Sequence, residues 1–90
     1  MTPGQITITS AGTFPGPVFR PTMRVYYEHA RHGVLFEEVV KPLRCRSRKR
    51  AIEVGREWRK SDDGLEALRD LFARIAASSE NTIPEFNDDH

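Results

Sequence analysis

The sequence predicts an α+β domain, in which a small antiparallel β-hairpin or three-stranded sheet packs on two C-terminal α-helices. Apolar and polar residues alternate over residues 23–46, which is typical of a half-buried strand. Apolar residues then recur at helical spacing over 48–60 and again over 63–77. Runs of strands followed by runs of helices are typical of α+β proteins. We therefore expect one domain over residues 23–77.

The N-terminal arm, residues 1–22, holds four of the six prolines and three of the six glycines. We expect this arm either to be disordered or to form an edge strand, and its composition favours disorder because proline and glycine weaken helices and central strands. Residues 5–9 alternate in polarity and fit a short strand, whereas Phe14–Pro17 reads as a turn or linker.

Within the hairpin, Met23, Val25 and Tyr27 alternate with polar residues and predict the first strand. Arg31–Gly33 is the predicted turn, because glycine takes positive φ without a steric cost. The second strand should run from Val34 to Val40. Its alternation breaks at Glu37–Val40, which indicates a β-bulge. Residues 43–46 form a possible short third strand.

Both helices carry recognisable start signals. Ser47 is a good N-cap for an amphipathic helix over about 48–60, and Gly55 inside it indicates the close approach of the sheet or of the second helix. Asp63 and Glu66 have the spacing of a capping box for a second helix over about 63–77. Residues 78–90 are polar and read as a disordered acidic tail.

The predicted core combines apolar residues of the hairpin and of both helices. Its members are Val25, Tyr27, Val34, Phe36, Leu43, Ile52, Trp58, Leu65, Leu68, Leu71, Phe72 and Ile75. Trp58 could instead anchor a partner, but its position within the apolar arc of the first helix favours the core. Free cysteine is among the most buried residue types, so Cys45 is also expected in the core.

The formal net charge of +1 conceals a strong asymmetry along the chain. Residues 20–60 hold twelve Lys and Arg against five acids, a local net charge of +7. Residues 61–90 hold two Arg against eight acids, a local net charge of −6. A basic block of this kind predicts a partner that carries negative charge.

We call the strongest group of cations the basic set and predict that it binds nucleic acid, either DNA or RNA, through phosphate contacts. Its members are Arg44, Arg46, Arg48, Lys49, Arg50, Arg56, Arg59 and Lys60. The planar guanidinium fork of arginine binds phosphate with two hydrogen bonds, and a helix N-terminus favours anions. Tyr26 or Tyr27 could stack on a base if exposed.

Two alternatives stay open. The basic set could be a solvated face that pairs with Glu53 and Glu57 along the helix. The acidic segment 61–90 could also fold back on the basic block or reach a second copy. The corresponding alternative function is a protein–protein interaction module or inhibitor that uses the 61–90 segment or a helical face and self-associates as a homodimer.

Catalysis, metal binding and cofactors find little support in the sequence. Glu28, His29, His32 and Cys45 do not have the spacing of a metal site, and no nucleophile motif or phosphate-binding glycine loop is present. We therefore expect no enzyme, no metal and no cofactor. The absence of a secretory signal and the single cysteine favour the cytoplasm, and no apolar run reaches the roughly 20 residues that cross a membrane.

The order of elements over about residues 23–60, a hairpin or three-stranded sheet followed by an Arg-rich helix, resembles the small DNA-arm-binding domains of phage-type integrases. It is also similar to many small bacterial domains in which a hairpin precedes a helix. The resemblance implies a bacterial or phage origin and a nucleic-acid ligand. It lies in element order alone, so no functional residue is carried over.

Overall fold

The computed structural model describes residues 1–13 and 18–87, in which an antiparallel sheet lies against two helices. The strands are β1 (Ile6–Thr13), β2 (Val18–His29), β3 (Gly33–Val40) and β4 (Asn81–Thr82), and the helices are α1 (Arg48–Lys60) and α2 (Asp62–Ala76). The predicted α+β class is confirmed. β2 is the central strand, with β1 and β4 along one side and β3 along the other.

β1 forms from the arm whose composition favoured disorder. It pairs with β2 without a break, from Ile6 opposite Val25 to Thr13 opposite Val18. Pro21 does not disturb this ladder. Its carbonyl accepts a hydrogen bond from the Lys41 N–H at 2.8 Å, so the side of Pro21 that lacks a donor faces the loop after β3 and not β1. The predicted turn at residues 14–17 lies outside the described residues.

The hairpin of β2 and β3 turns where predicted, with Gly33 at a φ of +72°. The predicted bulge is wrong, because every residue from Thr22 opposite Val40 to His29 opposite Gly33 is paired in one register. The predicted third strand is also wrong. Only an isolated bridge joins Cys45 to Phe19, because Pro42 interrupts the chain and supplies no N–H.

The helices cover one side of the sheet, which we call the inner face and define by Met23, Val25 and Tyr27 of β2. α1 begins as predicted, with the Ser47 hydroxyl accepting from the Arg50 N–H at 3.1 Å. A Cβ built on Gly55 would lie 2.6 Å from Cγ2 of Ile8. The predicted close approach at Gly55 is confirmed, and the neighbour is β1.

Ser61 joins the two helices and caps both. Its N–H donates to the Trp58 carbonyl at the end of α1, and its hydroxyl accepts from the Gly64 N–H at the start of α2. The predicted capping box at Asp63 is therefore wrong, because the cap lies two residues earlier. Asp62 and Asp63 instead occupy the first turn of α2, where they favour the positive helix end.

The core comprises eight buried residues of the sheet and helices: Met23, Val25, Tyr27, Trp58, Leu68, Leu71, Phe72 and Ile75. The core prediction fails for Val34, Phe36 and Leu43, which are 43%, 45% and 41% exposed. Val34 and Phe36 pair with Glu28 and Tyr26, so they point away from the helices onto the opposite, outer face of the sheet. Leu43 lies in the loop after β3. Ile52 and Leu65 are half-buried.

The predicted disordered tail packs on the domain as far as residue 87. β4 extends the β1 side of the sheet, with Thr82 opposite Glu28 and the Ala30 N–H donating to the Glu80 carbonyl at 2.8 Å. The rings of Phe86 and Phe72 lie 4.9 Å apart. Apolar residues among the polar ones therefore anchor the tail, and residues 88–90 lie outside the described residues.

Candidate nucleic-acid interface

The basic set is presented by α1 and by the segment that leads into it. Seven of its eight members are exposed, and Arg59 is half-buried. Exposure follows from the pattern of α1, whose buried positions Ala51, Gly55 and Trp58 occupy one side of the helix and leave the charged positions on the other. The cations are therefore accessible to a large anionic ligand.

Three members of the set converge on a groove of about 410 Å³. Arg48, Lys49 and Arg56 line it together with Ile52 and Glu53. Residues three, four and seven positions apart lie on neighbouring turns of one helix face, which explains how Lys49 and Arg56 meet. The groove combines three cations with one carboxylate, so its charge remains positive.

Arg50 points to a different flank of α1. Consecutive helical residues are rotated by about 100°, so Arg48, Lys49 and Arg50 fan out around the first turn instead of sharing one face. The guanidinium of Arg50 lies 3.5 Å from the Glu53 carboxylate, in an exposed pair of little energetic value. Arg50 is thus the member of the set that an acid already contacts.

Arg44 and Arg46 precede α1 and flank Cys45. The backbone of Cys45 exchanges two hydrogen bonds with Phe19, at 2.8 and 2.9 Å, which holds the segment against the start of β2. The Cys45 side chain is buried, so its predicted burial is confirmed, although it lies outside the main core cluster. This anchoring leaves Arg44 and Arg46 exposed beside the N-terminal end of α1.

Arg59 and Lys60 lie at the other end of α1, about 18 Å along the axis from Arg48. They occupy the last turn, where cations interact favourably with the negative helix end. Arg59 also lines a second cavity of about 230 Å³ between β1, α2 and the tail, beside Phe72 and Phe86. The fold therefore separates these two cations from the groove, and the helix dipole alone explains their position.

Within residues 1–13 and 18–87, the acids of the 61–90 segment neutralise little of the positive charge of the 20–60 block. The one side-chain pair that joins the 20–60 block to the 61–90 segment there is a hydrogen bond from His29 Nε2 to Glu80 Oε2 at 2.9 Å. No member of the basic set contacts an acid of the 61–90 segment within 4.0 Å in this part of the chain. α2 instead exposes its own acids, Asp62, Asp63, Glu66 and Asp70, along its surface.

The aromatic residues predicted to stack on bases are not available. Tyr26 and Tyr27 are 5% and 7% exposed, one on each face of the central strand. Phe36 is the exposed aromatic of the sheet instead. Sequence analysis missed it because alternation defines two sets of residues in a strand and does not show which set faces the helices.

The residues considered as metal ligands do not all come together in the described part of the chain. The described residues contain no group of three or more His, Cys, Asp or Glu side chains placed to hold a metal ion. His29 and His32 stack with ring centroids 4.7 Å apart, and His29 Nδ1 accepts from the Arg31 N–H at 3.1 Å. Because Nδ1 is an acceptor there, Nε2 carries the proton donated to Glu80.

The two helices span 13 and 15 residues, and no helix in residues 1–13 and 18–87 is long and apolar enough to cross a bilayer. No family model, curated protein or solved structure matches this chain.

Proposed function

We propose that this protein is a small, non-enzymatic nucleic-acid-binding domain whose basic set contacts phosphates. The observation that carries the proposal is the exposure of seven cations on α1 and the segment before it, of which Arg50 is the one that an acid contacts among the described residues. The buried, unpaired Cys45 favours a reducing compartment such as the cytoplasm for this activity.

The placement of cations in the first turn of α1 supports an external anion. Arg48, Lys49 and Arg50 lie at the positive end of the helix dipole, and no acid occupies that turn. Like charges at a helix N-terminus cost a few tenths of a kcal/mol each in water. A phosphate bound there removes this cost, because it interacts with both the side chains and the free backbone N–H groups.

The positions of the exposed cations define the surface that a nucleic acid would cover. The groove of Arg48, Lys49 and Arg56 is the centre of the proposed contact, and Arg44 and Arg46 extend it before the helix. Arg59 and Lys60 are peripheral. The length of α1, about 18 Å, corresponds to about five nucleotides along one strand. The acidic surface of α2 repels phosphates and confines the ligand to α1.

Contacts of this kind predict weak sequence preference and strong salt dependence. Phosphate contacts fix the position of a nucleic acid and carry no sequence information. Each phosphate neutralised contributes about −0.9 to the slope of log affinity against log salt for duplex DNA, and about −0.7 for single strands. The proposal therefore predicts binding to mixed DNA and RNA oligonucleotides that falls steeply with added salt.

The test compares two double variants that remove the same charge. Lys49→Gln with Arg56→Gln removes two cations of the groove, and Arg31→Gln with Arg74→Gln removes two exposed cations elsewhere. Fluorescence anisotropy with labelled mixed-sequence oligonucleotides at two ionic strengths measures both. We expect the groove variant to lose about tenfold in affinity and about two contacts from the salt slope, while the control stays close to wild type.

Two results would contradict the proposal. If the wild-type chain binds no oligonucleotide at low salt, the basic set is a solvated face. If both double variants lose affinity equally, the loss reflects net charge and not a localised interface.

A further inference from the structure

The outer face of the sheet has an apolar half that nothing covers among the described residues. Val34, Phe36 and Val40 of β3 all lie on it and are 43%, 45% and 42% exposed. Beside them on β2, Thr22 is fully buried, and Tyr26, whose ring centroid lies 5.9 Å from that of Phe36, is 5% exposed. The face is thus partly a core already, with its largest apolar side chains along one edge.

β3 shows that this face is not an ordinary solvated one. An antiparallel sheet with one face in water normally alternates apolar residues inward with polar residues outward. β3 departs from this pattern, because Val34, Phe36 and Val40 point outward although Leu35 and Val39 already supply apolar contacts on the side of the helices. Apolar residues on both faces are expected for a strand whose outer face is also buried in the functional state.

The shape of the molecule leads to the same conclusion. The extents are 39 × 30 × 19 Å, and the short dimension holds one sheet layer and one helix layer. The accessible surface is 6144 Å², whereas a monomer of 10.3 kDa is expected to expose about 5,400 Å². The difference of about 740 Å² is close to the roughly 800 Å² that one partner buries in an interface of standard size.

The charges of the outer face suit a second copy of this chain. Arg20 and Glu28 lie on this face at opposite ends of β2. The Arg24 guanidinium lies in the middle, 3.6 Å from the Glu38 carboxylate and 4.1 Å from the centroid of the Phe36 ring. A two-fold interface brings each end of a patch onto the opposite end of its copy. An axis across the strands therefore places Arg20 of one chain towards Glu28 of the other.

We propose that two copies of this chain pack their outer sheet faces together, forming a symmetric sheet-on-sheet dimer centred on Phe36 and Arg24. The helices then lie on the outside of the dimer, and each basic set remains exposed. The dimer uses a surface different from the acidic segment and the helical face considered from the sequence. It stands independently of the proposed nucleic-acid binding.

Face-to-face packing is favoured over edge-to-edge pairing of β3. The open edge of β3 carries Glu37 and Glu38 next to each other, and an antiparallel pairing of two β3 strands would bring four carboxylates together. Charged residues on an edge strand are a usual protection against such pairing. Packing of the outer faces leaves this edge in water and buries the apolar side chains.

Sedimentation velocity of the full chain, without nucleic acid and over a range of concentrations up to about 1 mM, tests the proposal. We expect a concentration-dependent dimer. Phe36→Ser should weaken it at least tenfold, because it removes the central apolar contact. Leu43→Ser is the matched control, since Leu43 is 41% exposed but lies outside the strands, and it should leave the dimer unchanged.

Exchanging the charges of Arg20 and Glu28 distinguishes an effect on the interface from an effect on folding. Arg20→Glu alone and Glu28→Arg alone should each weaken the dimer several-fold, because each places like charges together at both ends of the interface. The combination restores opposite charges at both ends and should recover most of the wild-type association. Far-UV circular dichroism of each variant checks that the sheet is intact.

The proposal is overturned if the wild-type chain stays monomeric at about 1 mM, or if Phe36→Ser and Leu43→Ser leave the same dimer. It is also overturned if the chain is monomeric and Phe36→Ser weakens oligonucleotide binding, since the face would then stack on bases. Loss of nucleic-acid binding in the groove variant does not affect it, because association is measured without nucleic acid.

Discussion

The two faces of the sheet differ in what covers them more than in their composition. Val25 on the inner face is fully buried under the helices, whereas Val34 and Val40 on the outer face are 43% and 42% exposed. Both faces carry aromatic and β-branched residues, and Tyr26 and Tyr27 are buried on opposite sides of β2. The comparison shows that the hydrophobicity of a strand does not by itself determine its burial, because the apolar residues of β3 that face the helices pack on the core and those that face away are exposed.

The sharpest way to test this comparison is to make the same substitution on each face. Val25→Ala should lower the free energy of unfolding by about 2–3 kcal/mol, since it removes two buried methyl groups and leaves a cavity. Val34→Ala should cost about 0.5 kcal/mol or less at low protein concentration, as for most surface changes. Urea denaturation with matched m values provides the measurement.

Measuring the stability of the same two variants at several protein concentrations provides a further test. If the outer face is buried in a dimer, the loss caused by Val34→Ala should grow at concentrations where the dimer is populated, because association stabilises the folded state. The loss caused by Val25→Ala should not grow in this way. Equal losses from both variants at low concentration would contradict the assignment of the two faces.

A second prediction concerns how closely α1 approaches the inner face. Gly55→Ala should lower the free energy of unfolding by about 1 kcal/mol, because strain against Cγ2 of Ile8 exceeds the gain in helix propensity. Ile8→Ala removes that methyl group. The double variant should therefore lose less than the sum of the two single variants, as a thermodynamic cycle would show. Additive losses would mean that the contact does not limit the packing.

A third prediction concerns the tail, which covers the edge of the inner face. Phe86→Ala removes a half-buried ring that packs on Phe72 and should cost about 1 kcal/mol. We expect faster hydrogen exchange and proteolysis in residues 80–87, with α1 and β3 unaffected. Glu85→Ala, at an exposed neighbouring position, is the control and should leave the exchange rates as they are.

Much of the fold was predictable from local signals. Ser47 and the apolar spacing after it predicted α1 at its observed bounds, and Gly33 predicted the hairpin turn. Predictions failed where partners distant in sequence decide the structure. β1 forms because β2 supplies its hydrogen-bond partners, and the tail orders because Phe86 contacts Phe72. Proline and glycine content measures only the cost of ordering such segments, not the contacts that compensate for it.

The sequence predicted which residues form the candidate interface better than it predicted how those residues are arranged. Exposure of the members on α1 follows from the amphipathic pattern of the helix, and five of these six members are exposed. The grouping of Arg48, Lys49 and Arg56 around one groove follows from their spacing on α1, whereas the cavity that Arg59 lines depends on how the tail and β1 pack. The outer face was missed because a shift of one residue exchanges the two faces of a strand.

Ser61 has a consequence for how the molecule meets a charged partner. One residue both ends α1 and begins α2, because the Ser61 hydroxyl donates to the Trp58 carbonyl and accepts from the Gly64 N–H, so the relative direction of the two helices is set at a single position. The cationic helix and the acidic helix therefore keep a fixed relative direction. A fixed separation of charge acts as a permanent electric dipole, which turns the protein in the field of a polyanion before contact is made. Ser61, by fixing the angle between the two helices, thus helps to determine how the protein is oriented as it approaches a polyanion.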